Sequence, residues 1–213
     1  MQPKTLDHVA FWVADRDAIA ATLTSRLGVH EIDRQDTFTL LGANARRFKF
    51  TLFEAEGPRE AGPFLHVALR VNRLPAGAPA TFTAGEGLHI VLVEAPTEVD
   101  YDLDHVALGS IDPRATAAEY ERYGFRPAGS ARVEVGGAFV ELHPGPVRQT
   151  ERPLLNHLAV LVDSADEAVA DADELGIEVE STVDAPNTYA AFLAGPEGVR
   201  IEYVEHKDSF SLT

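Results

Sequence analysis

The chain contains no cysteine, which excludes disulfides and thiolate chemistry. Any metal site must therefore use histidine and carboxylate ligands. Basic residues are also few, with 18 Lys and Arg against 34 Asp and Glu and a formal net charge of −16. This charge repels phosphate backbones and anionic lipid, so it speaks against nucleic acid and membrane as partners. No apolar run approaches the roughly 20 residues of a membrane helix, and the composition favours a small-molecule partner.

Other signals are missing as well. The first residues, Met1–Thr5, show no basic start followed by an apolar core, which predicts that no signal peptide is present. Together with the absence of cysteine, this predicts a cytoplasmic location. No phosphate-binding glycine loop, nucleophile elbow or His-Glu-x-x-His segment occurs. The 213 residues, 45% of them apolar, are enough for one large or two small globular domains.

Four short segments share one pattern, a histidine, an aliphatic residue and an alanine inside an apolar run. They account for half of the eight histidines and lie at Asp7–Ala10, Leu65–Ala68, Asp104–Ala107 and Asn156–Ala159. Side chains of a strand alternate between its faces, so each histidine shares a face with the alanine two places on. The recurrence indicates internal duplication, with a histidine near the start of each repeat's first strand.

The spacing also predicts the elements that come after each first strand. A helical stretch ends at Gly28, Gly124 and Gly176, and three short strands come next. Asp112-Pro113 and the Ser164-to-Glu167 capping box predict two of the helix starts. The second repeat is predicted to be truncated, because its helix position is interrupted by several residues: Pro75, Gly77, Pro79, Gly85 and Gly87. We therefore predict an α+β chain of four βαβββ-type modules at 6–57, 62–100, 103–147 and 154–206.

Two acidic residues decide where chemistry is expected. Glu141 and Glu202 each lie four residues after a glycine, inside an apolar last strand. A carboxylate there is costly unless it is paired, protonated or bound to metal. The first two modules have Thr51 and Val91 at the matching places. The sequence thus favours one metal site in the C-terminal half, formed by the residues His105, Glu141, His157 and Glu202. The alternative is that the two glutamates hydrogen-bond the histidines in a metal-free cavity.

These features resemble the vicinal oxygen chelate superfamily, which includes glyoxalase I, extradiol dioxygenases, methylmalonyl-CoA epimerase and the bleomycin resistance proteins. The βαβββ repeat, the strand-initial histidines and the Gly-Pro-Glu-Gly-Val-Arg-Ile-Glu segment at 195–202 carry the resemblance. It implies that modules pair into two cupped mixed sheets, one from residues 1–100 without metal and one from residues 101–213 around a divalent ion. It also implies that the ion is Fe, Zn, Ni, Mn or Co, with ligands mapping onto the four residues of the C-terminal half. Family members often dimerise, so a homodimer is expected beside a monomer.

The chemistry that the resemblance implies depends on Glu141. Four protein ligands leave an octahedral ion two open positions, which fit a chelated enediolate and glyoxalase- or epimerase-like lyase or isomerase chemistry, with Glu141 as base. We favour this prediction. Three ligands, His105, His157 and Glu202, form a facial triad with room for a catecholate and O₂, as in an Fe(II) extradiol dioxygenase. A third alternative is a bleomycin-resistance-type protein that sequesters a ligand without chemistry.

Further residues are predicted to line the site. Phe139 and His143 share a strand face with Glu141, and His143 is either a proton shuttle or a rim residue. Arg200 shares a face with Glu202, while Tyr189 and Phe192 are candidate pocket walls or ordinary core. The ring-cleavage prediction has a gap, because Phe192 stands where extradiol enzymes have Tyr and no His occurs between His157 and Glu202.

Overall fold

The computed structural model of the chain describes residues 1–42, 48–74, 79–147 and 150–211. The elements of the first two modules are β1 (Thr5–Val13), α1 (Arg16–Leu27), β2 (His30–Arg34), β3 (Phe38–Gly42), β4 (Lys49–Glu54), β5 (Phe64–Val71), β6 (Thr81–Thr83) and β7 (His89–Glu94). Those of the last two are β8 (Asp102–Ser110), α2 (Pro113–Glu121), β9 (Arg126–Gly129), β10 (Arg132–Val135), β11 (Ala138–Pro144), β12 (Leu155–Leu161), α3 (Ala165–Leu175), β13 (Val179–Asp184), β14 (Thr188–Leu193) and β15 (Arg200–His206). A short 3₁₀ turn (Pro196–Gly198) precedes β15. The predicted α+β class is confirmed.

The helix boundaries follow from capping chemistry. Asp112 caps α2 by accepting hydrogen bonds from the backbone N–H groups of Arg114 and Ala115, and Ser164 caps α3 by accepting from Glu167. Gly176 ends α3 at φ 64°, in the left-handed region that favours glycine. No helix lies between β5 and β6 among the described residues there, 72–74 and 79–80. The predicted breaks at Pro75 and Gly77 fall outside the described residues.

The strands form two mixed sheets, as predicted, but the modules pair differently. The eight-stranded sheet has the order β13-β14-β15-β12-β1-β4-β3-β2, and the seven-stranded sheet has the order β6-β7-β5-β8-β11-β10-β9. The first module therefore joins the fourth, and the second joins the third. The pairing of residues 1–100 and of 101–213 is a wrong prediction, because each half of the chain contributes one module to each sheet.

The two sheets are built alike. In the eight-stranded sheet β1 pairs antiparallel with β12, while β4 and β15 run parallel to them on either side. In the seven-stranded sheet β5 pairs antiparallel with β8, flanked by the parallel strands β7 and β11. All four histidine segments thus lie on the two central strands of a sheet. They are equivalent in the sequence, which explains why the sequence does not reveal the pairing.

The main hydrophobic core fills the space between the sheets and under the helices. Phe11 of β1 packs edge-on against Phe64 of β5 at a centroid distance of 5.1 Å, which joins the two sheets directly. A second, smaller cluster of Ala159, Ala190 and Val204, with Phe192 against it, lies on the other face of the eight-stranded sheet. Alternation along the strands puts the site histidines on this second face. In the part of the chain that the structure describes, no helix has the length and apolar character required to cross a membrane.

Candidate metal centre

A β-bulge precedes each of the four histidines. The strand register shifts between Leu6 and His8, and opposite Asn156 on the partner strand. The seven-stranded sheet has the same shifts at Leu65 and Asp104. A bulge inserts an unpaired residue and re-aims the side chains around it. The residue before the histidine can therefore contact the ring, although neighbours in a regular strand face opposite ways.

The register also explains the alanine of the repeated segment. His8 of β1 lies opposite Ala159 of β12, and Ala10 lies opposite His157. Each alanine thus leaves room for the imidazole of the partner strand. Glu202 is the neighbour of Ala159 on the outer strand β15, and Thr51 is the neighbour of Ala10 on β4. Four side chains therefore lie close together on this face: the two histidines of the central strands β1 and β12, the glutamate of β15 and the threonine of β4.

Three donor atoms converge on this face. Nε2 of His8 lies 3.0 Å from Nε2 of His157, and Oε2 of Glu202 lies 3.0 Å from His8 Nε2 and 2.8 Å from His157 Nε2. His157 is 2% exposed and Glu202 7%. Among the described residues, only these three side chains form such a compact histidine and carboxylate group.

The triangle fits a divalent metal ion. Two ligands at right angles, each about 2.1 Å from an ion, are about 3.0 Å apart, which matches one face of an octahedron. Oε2 of Glu202 is buried and accepts no hydrogen bond of good geometry from the described residues. When both imidazoles present their Nε2 lone pairs, this buried carboxylate oxygen is left without a donor, which is costly, and a cation at the centre of the triangle removes that cost. Two imidazoles and one carboxylate are the ligands that Fe, Zn, Ni, Co and Mn accept.

A second layer of side chains orients the rings. Nδ1 of His8 lies 2.9 Å from Oδ2 of Asp7, and Nζ of Lys49 lies 2.7 Å from the other Asp7 oxygen. Asp7 and Lys49 are both buried. Nδ1 of His157 lies 3.1 Å from Oδ1 of Asn156. Partners of this kind keep the proton on Nδ1 and direct the Nε2 lone pair at a metal.

The pKa values of the three side chains in the metal-free site are consistent with a place for a cation. Burial lowers the pKa of His8, but the charge of Glu202 and the hydrogen bond to Asp7 outweigh it and raise the pKa to about 9. Burial lowers the pKa of His157 below its ordinary value. Burial raises the pKa of Glu202, yet the charges of His157 and His8 hold it well below the ordinary value. Near pH 7 the site thus carries an ionised carboxylate with a proton on His8, in the place of a cation.

The triad opens into a cavity of about 410 Å³. Both edge strands of the eight-stranded sheet line it, so the sheet curves around the cavity. Its walls include five large aromatic side chains: Trp12, Phe38, Phe53, Phe192 and Phe210. Arg200 lines it as well, with its guanidinium 5.5 Å from the centre of the Phe192 ring. An apolar cleft with a few convergent polar groups is the usual form of a small-molecule site.

The structure separates the predicted site residues into two groups. His157, Glu202, Phe192 and Arg200 lie at this cavity. His105 and Glu141 lie in the other sheet, together with Phe139 and His143. The prediction that His105 and Glu141 share a metal with His157 and Glu202 is therefore wrong, because β8 and β11 do not belong to the eight-stranded sheet. Phe139 and His143 are likewise absent from the residues that line the cavity.

Two further corrections concern His8 and Tyr189. The sequence places His8 in a half of the chain predicted to hold no metal, yet it supplies one of the three donors. The sequence prediction misses His8 because its role depends on which modules pair, and no local sequence feature encodes that pairing. Tyr189 does not line the cavity. Phe192 and Ala190 face it, whereas the pKa of Tyr189 is raised by a hydrogen bond to Asp166 at the start of α3, on the opposite side of β14.

Comparison with known proteins supports the fold. Glyoxalase I from Zea mays superposes with a TM-score of 0.70 at 17% identity, covering 94% of this chain and 92% of that chain. A Bacillus subtilis "putative dioxygenase" gives 0.74 at 15% identity, covering 96% and 86%. The cppA protein from Streptococcus pneumoniae gives 0.65 at 12% identity, covering 96% and 98%. No curated protein matches the chain.

These structural likenesses are distant in sequence and show the fold alone. The decisive finding is a family model that matches residues 5–203, nearly the whole chain. Together with two mixed sheets built from duplicated modules, it places the chain in the Glyoxalase/Bleomycin resistance protein/Dioxygenase superfamily.

Proposed function

We propose that the chain is a divalent-metal-dependent enzyme, with His8, His157 and Glu202 as the ligands. The observation that carries the proposal is the triangle of donor atoms at 2.8, 3.0 and 3.0 Å. An ion held there supplies Lewis acidity to two substrate oxygens and, as iron(II), redox chemistry with O₂. The substrate is a small molecule with two neighbouring oxygens and an apolar body.

The chain's own residues bind and orient this substrate. Trp12, Phe53 and Phe192 form apolar walls near the triad, and the Phe192 and His157 ring centres are 5.2 Å apart. Such walls suit a flat, aromatic body and keep water away from the reacting oxygens. Asp7, held by Lys49, keeps His8 in place. His206 lines the cavity with its Nε2 atom 3.4 Å from Asp7 Oδ1, and it is a candidate to exchange a proton with the substrate.

The number of protein ligands favours an oxygenase over a lyase or isomerase. The lyase prediction requires a second glutamate, able to leave the metal and take a proton. Thr51 occupies that place in this sheet, and it is buried. Three protein ligands leave three open positions, two for the substrate and one for O₂. We therefore favour extradiol-type cleavage, in which one ring C–C bond breaks and both atoms of one O₂ enter the product.

The test compares one histidine from each of the two sheets. Purified protein, stripped of metal and loaded with Fe(II), is mixed with a panel of catechols while O₂ uptake is followed. We expect uptake of one O₂ for each catechol consumed, abolished by His8→Ala and retained by His105→Ala. Isomerisation of a dicarbonyl without O₂ uptake would instead support the lyase or isomerase alternative. A folded protein that binds the panel but takes up no metal would support ligand sequestration.

A further inference from the structure

The seven-stranded sheet carries a second pair of facing histidines. Nε2 of His66 lies 3.0 Å from Nε2 of His105, and the ring centres are 5.1 Å apart at an angle of 72°. The pair of His8 and His157 has nearly the same geometry, with 3.0 Å, 5.2 Å and 72°. The proposed function does not use this second pair.

The positions around the second pair repeat those of the first sheet. His66 lies opposite Ala107, and Ala68 lies opposite His105. Glu141 neighbours Ala107 on β11, as Glu202 neighbours Ala159 on β15. Val91 takes the place that corresponds to Thr51. This sheet therefore also presents two imidazoles and one carboxylate on a single face.

The ring of His105 is oriented as a ligand would be. Its Nδ1 atom lies 2.7 Å from Oδ1 of Asp104, which directs Nε2 towards His66. Nε and Nη2 of Arg70 donate to Oδ2 of Asp104 at 3.0 and 2.9 Å. Arg70 of β5 thus pairs with Asp104 as Lys49 of β4 pairs with Asp7, although the two cations lie on strands that are not equivalent.

The carboxylate of Glu141 differs from that of Glu202 in its contacts. Oε2 of Glu141 lies 3.6 Å from Nε2 of His105 and 3.9 Å from Nε2 of His143, which is looser than the first triad. Its other oxygen is 3.3 Å from Nη1 of Arg132, whose guanidinium lies 3.4 Å above the centre of the Phe139 ring. The equivalent neighbour of Glu202 is Phe192, which carries no charge. A guanidinium beside the carboxylate competes with a cation for it.

We propose that His66, His105 and Glu141 form a second divalent-metal site, which binds transition ions such as Zn²⁺ or Co²⁺ more weakly than the first. The ion takes the two Nε2 lone pairs, and Glu141 turns from Arg132 towards it. Weaker binding follows from the competition with Arg132 and from the exposure of the Glu141 side chain, 27% against 9% for Glu202.

Metal titration of the stripped full chain tests the proposal. Zn²⁺ is measured by competition with a chromophoric chelator, and Co²⁺ by its visible absorption. We expect two ions per chain, one tight and one weak. His8→Ala should remove the tight ion alone, and His66→Ala should remove the weak ion alone. Loss of the tight ion in His8→Ala with no second ion in the unaltered chain would overturn this proposal and leave the proposed function intact.

Two further variants sharpen the test. Arg132→Met removes the competing charge but keeps an apolar chain over Phe139, and it should tighten the weak site by about tenfold. Glu141→Gln, which is close to isosteric, should weaken that site without unfolding the chain. Exposed His30 lies on β2 of the eight-stranded sheet, outside both clusters, so His30→Ala is the matched control. A weak ion that survives both His66→Ala and Glu141→Gln, or disappears in His30→Ala, would contradict the assignment.

Discussion

The two sheets carry the same kinds of side chain at equivalent places but differ in how deeply these side chains are buried. Each has a pair of bulged strands, facing histidines and one glutamate on an outer strand, and an acidic residue or amide precedes three of the four histidines. In the eight-stranded sheet the glutamate is buried between two imidazoles, and a buried lysine pairs with Asp7 behind His8. In the seven-stranded sheet the glutamate is more exposed and faces an arginine. Duplication supplied the same ligands twice, and burial and neighbouring charge make one site tighter.

The largest expected difference concerns the cations behind the histidines. Lys49 and Asp7 have side chains that are 1% and 3% exposed, whereas Arg70 and Asp104 are 22% and 14% exposed. Lys49→Met removes the lysine charge from the buried Asp7–Lys49 ion pair and leaves Asp7 with the imidazoles of His8 and His206, and we expect it to destabilise the metal-free chain by about 3–5 kcal/mol. Arg70→Met should cost about 1 kcal/mol or less. Urea unfolding monitored by circular dichroism measures both values.

A double variant separates the charge from the packing. Asp7→Asn combined with Lys49→Met removes both charges, and it should recover a large part of the loss because no uncompensated ion remains. If the single and double variants are equally unstable, the loss comes from the packing of the lysine chain and not from the ion pair.

The next effect is a pH dependence specific to the first sheet. The pKa of His8 is about 9 in the folded metal-free chain, against an ordinary value of 6.5. Stabilisation by its protonated form is therefore complete below pH 6.5 and is lost as the pH rises through about 9. The shift corresponds to a loss on the order of 3 kcal/mol. Unfolding free energies measured between about pH 6 and pH 10 check this.

Histidine variants assign that pH dependence. In the seven-stranded sheet, burial lowers the pKa of His66 below its ordinary value of 6.5. The folded chain therefore favours neutral His66, and the stability that this contributes above pH 6.5 is lost as the pH falls. His8→Gln should thus flatten the decline between pH 6.5 and about 9, and His66→Gln should leave it. An unchanged decline in His8→Gln would show that another group titrates there.

The third effect concerns the glutamates as ligands. Glu202→Gln removes the ionised donor of the tight site, and we expect its affinity for Zn²⁺ to fall by about a hundredfold. Glu141→Gln should leave the tight site unchanged, because Glu141 belongs to the other sheet. Competition with a chelator of known affinity gives both constants. Equal losses in the two variants would mean that the sheets do not act as separate sites.

Much of this comparison can be predicted from the sequence. The repeats, the helix caps at Asp112 and Ser164, and the correspondence of Glu202, Glu141, Thr51 and Val91 follow from local spacing, and the register confirms them. The pairing of the modules is not accessible, since four equivalent segments fit either arrangement and pairing depends on contacts between distant parts of the chain. His8 escapes the sequence prediction for this reason. The bulges escape it as well, because apolar residues on both faces of these central strands mask the one-place shift that an unpaired residue makes in the alternation.

The smallest expected effect concerns the place in each sheet where a second glutamate could bind the metal. Thr51 and Val91 occupy equivalent places, next to Ala10 and Ala68. Thr51→Glu adds a second carboxylate beside the tight site, and we expect about tenfold tighter metal binding from the added charge. It should also close one of three open positions on the ion, so O₂ uptake with catechols should fall. Val91→Glu should change neither property of the tight site. Undiminished O₂ uptake in Thr51→Glu would mean that the reaction does not need the third open position, and the argument for an oxygenase would fail while the metal site stood.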